Sequence, residues 1–196
     1  MKKSLITLLV VAGAVLLLIM SFTGRYNKIV TQEEGVTAAW SQVENVYQRR
    51  ADLIPNLVNT VKGYAEFEQG TLTQVIEARA KATGVTIDPT NLNEASMQQF
   101  QQAQDGLGSA LSRLMVVVER YPDLKANQNF LDLQAQLEGT ENRIAVERRN
   151  FNETAQAYNS TIRRFPDNIL AGIFGFDKKA YFQAESGAEQ APEVQF

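Results

Sequence analysis

The 196-residue chain contains no cysteine and no histidine. Those two absences exclude disulfides, thiolate nucleophiles, imidazole bases and any metal site built on Cys or His. A cysteine-free chain fits every redox compartment, so this lack does not place the protein. Strong positive charge is also missing: the net charge is -3 and the sequence pI about 5.2. Nothing in the bulk composition attracts a polyanion, and no nucleic-acid partner is expected.

Catalytic signatures are missing too. Acidic residues at 66 and 68, 141 and 147, or 185 and 189 lack the Glu-x-x-His spacing of di-iron bundles, and no histidine exists to complete it. The "GLGS" at 106 to 109 sits within a helical pattern and lacks the lysine of a phosphate loop. Double arginines at 148–149 and 163–164 lie beside Asp or Glu on amphipathic segments, which favours solvated helix faces over phosphate contacts. No catalytic residue, cofactor or metal is expected, and an enzyme is disfavoured.

What is present begins with "SLITLLVVAGAVLLLIMSF", residues 4 to 22, which carry no charge. At ~1.5 Å per residue this run extends ~28 Å, close to the hydrocarbon thickness of a bilayer. Its length and the poor small-residue site in "SFTG" favour an uncleaved anchor over a signal peptide. Lys2, Lys3 and the amino terminus oppose Arg25 and Lys28, a narrow balance that favours an inside N-terminus, with residues 24 to 196 outside the cytoplasm.

Beyond the anchor the pattern is helical. "TQEE" at 31 to 34 has capping-box spacing. From Val36 through Trp40, Val43, Tyr47, Ile54, Leu57 and Val61 to Tyr64, apolar residues keep a three-four spacing on both sides of Pro55. Pro55 removes one backbone hydrogen bond and crowds the carbonyl of Ala51. The unbroken phase predicts a kinked single rod over 31–83 rather than a true break. "TGRYNKIV" has no proline, so this rod can also run on from the membrane helix as a stalk.

A second rod over 93–120 is predicted from Met97, Phe100, Gln104, Leu107, Leu111, Leu114, Val118 and Tyr121, with Gln104 its polar seam position. A third, over 128–165 and capped by Asn127, carries Phe130, Leu137, Ile144, Phe151, Tyr158 and Phe165 every seven residues. The expected fold is all-α: an N-terminal transmembrane helix followed by an elongated antiparallel helical bundle with long, coiled-coil-like helices. Its divisions are an anchor at 1–23, a bundle at 24–182 and a tail at 183–196.

Two seam positions are charged, Arg50 on the first rod and Glu141 on the third. They can form a buried pair that fixes register, or bend their heads into water along the bundle edge, and ordinary burial statistics favour the latter. Near the end, "ILAGIFGF" is too short to span; it lacks a clear polar face, which favours packing across the bundle end over lying in the membrane interface.

With "AAWSQVENVYQRRADLIPNLVNTVKGYAEFE", "ERYPDLKANQNFLDLQAQLEGTENRIAVERRNFNETAQAYNS" and "FPDNILAGIFGFDKKAYF" in order, the chain resembles the bacterial LemA family over residues 26 to 182. The resemblance implies a membrane anchor and an elongated helical domain, with no catalytic residues to carry over. It also implies a neighbouring TPM-domain protein as partner. Phe151 and Gln183 depart from the tyrosine and glutamate that relatives commonly show there.

Two functions follow as expectations. The first is a non-enzymatic single-pass scaffold of the bacterial inner membrane that meets lipid, self-associates as a homo-oligomer and engages another envelope protein. The second is a sensor or adaptor with an apolar cavity near Trp40, Tyr47 and Pro55 that takes a small ligand or lipid.

Overall fold

The computed structural model describes residues 2–63 and 69–183, with backbone alone for residues 2–4. The predicted stripe residue Tyr64 and the acidic residues Glu66, Glu68, Glu185 and Glu189 lie outside the described residues. Among the described residues six helices follow in order: α1 Lys2–Lys62, α2 Gln69–Gly84, α3 Glu94–Val118, α4 Pro122–Lys125, α5 Gln128–Arg163 and α6 Asp167–Phe174. Among the described residues there is no strand.

Helix α1 joins the apolar run to the bundle in one 61-residue element. By length and composition its first part can cross a membrane, and none of it is buried by the rest of the chain. The capping-box expectation at 31–34 is overturned, because Thr31 Oγ1 turns back to donate to the Asn27 carbonyl at 2.9 Å inside a continuing helix. With residue 27 already helical, no orphan amides remain there for a cap to satisfy.

The expected single rod over 31–83 is also corrected. Pro55 does not end the helix; α1 continues to Lys62, turns at Gly63, and α2 resumes at Gln69. Glycine loses more conformational freedom in a helix than any other residue, which favours a break at Gly63. Helix α2 then runs back along α1, with Arg79 beside Ala51. The apolar stripe from Val36 to Val61 belongs to α1 alone, and α2 adds buried residues of its own, Leu72, Val75 and Ala82.

The other two rods lie close to their predicted limits. Asn93 caps α3 by accepting from Ser96 N at 2.9 Å, and Asn127 caps α5 by accepting from Phe130 N at 3.1 Å. Of the seven-residue repeat, Phe130, Leu137, Ile144, Phe151 and Tyr158 are buried. Phe165 is not: α5 ends at Arg163, so Phe165 escapes the seam and stands 81% exposed.

Helix α5 packs antiparallel along α1, and α2 packs along α3. Two apolar cores result. The proximal one, nearer the apolar run, centres on Trp40, Phe100, Phe151, Tyr158 and Phe182. The distal one centres on Ile54, Leu57, Leu107, Leu114, Phe130 and Leu137. Helix α6 crosses the proximal end with Leu170 and Ala171 inward, while Ile169 and Ile173 stay exposed, so the core packing expected of this stretch holds for one side of it only.

Candidate functional site

A trough lies between α3 and α5, lined by polar side chains. Helix α6 closes at Gly175, whose φ of 73° lies in the left-handed region that glycine enters without steric cost. From there residues 176–183 run extended, back along the bundle, as a strap lying between the two helices.

Buried backbone outside a helix or sheet needs other partners for its N–H and C=O groups. Carboxamides supply them. Asn159 of α5 donates from Nδ2 to the Lys179 carbonyl at 2.8 Å and accepts from the Lys179 N–H at 2.9 Å. Asn152 does the same for Phe182, at 3.1 and 2.9 Å. Gln101 of α3 does so for Gln183, at 3.0 and 3.3 Å, and Ala180 N–H donates to the Leu92 carbonyl at 2.8 Å.

The spacing matches. Seven helical residues rise ~10.5 Å, and three extended residues advance ~10 Å, so two asparagines a heptad apart meet strap residues three apart. Sequence reasoning missed this pair, although Asn152 and Asn159 share the seven-residue interval of their neighbours Phe151 and Tyr158.

Strap side chains fill the proximal core. Phe182 stacks on Trp40 with centroids 5.9 Å apart and meets Phe151 edge-on at 5.6 Å, while Arg148 covers its outer face at 4.8 Å. Arg148 also donates to the Gln183 carbonyl at 3.0 Å. Lys179, only 3% exposed, places Nζ 2.7 Å from Glu33 Oε1 and 2.8 Å from the Thr90 carbonyl. Burial, reinforced by the Glu33 charge, pushes the Tyr158 phenol well above its ordinary range.

Beyond Gln183 the trough opens into a cavity of about 840 Å³. Tyr47, Arg50, Gln104, Arg113, Glu138, Glu141 and Arg148 are among its lining residues. Arg50 is buried, and its Nη1 donates to Glu141 Oε2 at 3.0 Å. Its Nη2 donates to both oxygens of Gln104, the side-chain Oε1 at 2.8 Å and the carbonyl at 3.2 Å. Gln104 Nε2 passes the chain on to the Ala82 carbonyl at 3.2 Å. One polar layer therefore ties α5, α1, α3 and α2 between the two apolar cores.

The structure thus brings Arg50 and Glu141 together, but unequally: the Glu141 side chain is 62% exposed, and the buried arginine relies on Gln104. Tyr47 lies under Arg50, whose guanidinium sits 5.0 Å from its ring, and burial raises its phenol pKa against the opposing pull of Arg148 and Arg50. Trp40 is enclosed by Phe100, Phe151 and Phe182 and does not line the opening. Pro55 faces solvent outside it. The three residues suggested for an apolar cavity are therefore not gathered around one.

Helical layers, a clasped strap and a helix able to cross a membrane define a membrane-associated helical-bundle protein. The LemA family model matches residues 39–196, and the chain belongs to the LemA family. It is 30% identical over 184 residues to magnetosome protein MamQ 2 of Paramagnetospirillum magneticum, covering 84% of this chain and 67% of that one. It is 30% identical over 183 residues to magnetosome protein MamQ of Magnetospirillum gryphiswaldense, with the same coverage. Protein LemA of Metamycoplasma hominis is 28% identical over 163 residues, 83% of this chain and 71% of that one.

Proposed function

We propose that this protein is a non-enzymatic, single-pass scaffold of the bacterial inner membrane that receives an extended segment of a partner protein in the distal half of the α3–α5 trough. The observation that carries this reading is the strap. Its proximal half of the trough already holds extended chain, through carboxamides that grip peptide groups whatever side chain they bear. Main-chain capture of this kind gives affinity, and neighbouring side chains give selectivity.

The distal half is lined by polar and charged side chains. Arg50, Arg113 and Arg148 stand among Gln104, Gln134, Glu138 and Glu141 around the opening. Such a mixed lining suits a polar, charge-bearing segment better than a greasy one. Confinement to a membrane raises the effective concentration of the chain, so weak contacts suffice for assembly, including contacts between copies.

The test is site-specific photocrosslinking in native membranes from Ser112 and Gln134 at the trough and from Asn59 on the outer face of α1. The scaffold reading expects a defined intermolecular adduct from both trough positions, absent at Asn59 and weakened by Arg113→Ala. Equal adducts at all three positions, or adducts within a single chain only, would sink it.

A further inference from the structure

We propose that α6 is a second membrane contact, seated in the lipid interface beside the point where α1 leaves the bilayer. This inference rests on the membrane-anchored reading above.

The level of the helix comes from its ring contacts. Phe174 meets Phe22 edge-on at 6.2 Å and Tyr26 at 4.8 Å. Phe22 closes the uncharged run of α1, so it marks the boundary where hydrocarbon gives way to headgroups. Eighteen residues from 5 to 22 rise ~27 Å, which nearly fills a ~30 Å hydrocarbon layer and leaves little freedom to move that boundary. Arg25, the first charge after the run, fixes the start of α6 at the same height by donating to Asp167 Oδ1 at 3.0 Å.

The outward face of the helix fits that location. Asp167, Leu170 and Ala171 face the bundle, whereas Ile169 and Ile173, one turn apart on the opposite side, are 51% and 65% exposed. Phe174 is half-exposed and Phe165 stands almost free. Isolated exposed apolar residues are ordinary, but this group is collected at one end of the molecule, next to the proposed span. Arg163, Arg164 and Lys28 are exposed close by in the chain, where anionic headgroups would meet them.

Helix α6 therefore dips into the acyl boundary by ~5–10 Å, the usual depth of an interfacial helix, and sets the tilt of the bundle over the membrane. It binds lipid from one side and the bundle from the other. This accounts for a helix that has no polar face although only one of its sides is core.

Because the chain lacks cysteine, single cysteines at Ile173, Leu9 and Asn59 can each carry a polarity-sensitive fluorophore in the full chain, reconstituted one copy per nanodisc with phosphatidylglycerol. Lipids with spin labels near the head or deep in the acyl chain then quench according to depth. The expected result is quenching of Ile173→Cys by the shallow label at least about two-fold above Asn59→Cys, with Leu9→Cys quenched by the deep label. If Leu9→Cys is quenched and Ile173→Cys behaves like Asn59→Cys, α6 is dry of lipid and the inference fails while the anchor stands. If Leu9→Cys is not quenched, the anchor fails and the inference with it. Blue-shifted Ile173→Cys emission that appears only with several copies per disc would assign the face to a second copy and overturn the lipid contact.

Discussion

Arg79 Nε donates to the Ala51 carbonyl at 2.8 Å, and this carbonyl is the one that Pro55 leaves without its helical partner. In an α-helix the N–H of residue 55 would bond to the oxygen of residue 51, and proline has no N–H to give. Helix α2, folded back along α1, supplies the missing donor from its own side chain. The proline is thereby accommodated within a continuous helix. Replacing Arg79 with Met should destabilise the bundle by about 1–2 kcal/mol, since it orphans an acceptor. In a Pro55→Ala background the carbonyl regains its helical partner, and the same change should cost much less. Additive effects of the two substitutions in denaturant titrations of the detergent-solubilised chain would disprove the connection.

Release of the strap should follow from losing one carboxamide. Asn159→Leu keeps the branched shape but removes the two hydrogen bonds to the Lys179 N–H and carbonyl. A cost of about 1–3 kcal/mol is expected, because both strap groups are left buried and unpaired. Trypsin should then cut after Lys178 or Lys179 at least about ten-fold faster than in the parent, as local opening becomes more populated. An unchanged cleavage rate would show that the carboxamides are incidental.

Within the polar layer, rank should follow burial rather than formal charge. Glu141→Gln removes an ion-pair partner whose side chain is mostly exposed and should cost no more than about 1 kcal/mol. Gln104→Leu deprives the buried Arg50 of its side-chain acceptor and should cost about 2–3 kcal/mol. Thermal melts that reverse this order would place the stabilising contact at Glu141 instead.

Lys179 offers the sharpest asymmetry. Glu33→Gln leaves an ammonium that is 3% exposed with the Thr90 carbonyl but no counter-charge, an arrangement expected to cost about 3 kcal/mol or more. Adding Lys179→Met to that variant removes the stranded charge and should recover part of the loss. A double variant less stable than Glu33→Gln alone would contradict this account.

Self-association and sidedness are measurable on the same cysteine-free background. Light scattering of the detergent-solubilised chain should give a mass above that of one copy and rising with concentration. Ser186→Cys should label from outside intact cells if the narrow Lys/Arg balance sets the topology. A monomer at all concentrations would remove contacts between copies from the scaffold proposal, and labelling only after lysis would reverse the expected topology.

Local patterns in the sequence were informative where one helix face meets one partner. The heptad from Phe130 to Tyr158 and the polar seam positions Arg50 and Gln104 stand out because burial repeats with the helical period, and Asn127 stands out as a cap because it directly precedes that heptad. The fold-back between Lys62 and Gln69 did not, because helical segments on the two sides of Gly63 describe one long helix or two antiparallel ones equally well. Phe165 followed the heptad arithmetic yet fell past the end of α5. The strap was hidden for a different reason. Its partners Asn152, Asn159 and Gln101 are side chains that normally face water, so even the seven-residue interval between the two asparagines does not mark them as buried.

Helix α1 is unbroken from Phe22, the end of its apolar run, to the distal core. From Phe22 to Lys62 it extends ~60 Å as one lever arm, so each ~10° change in its inclination sweeps the far tip sideways by ~10 Å. A swing of that size is comparable to the diameter of a helix. Changes in bilayer thickness around the base would thus be magnified into displacement at the mouth of the trough.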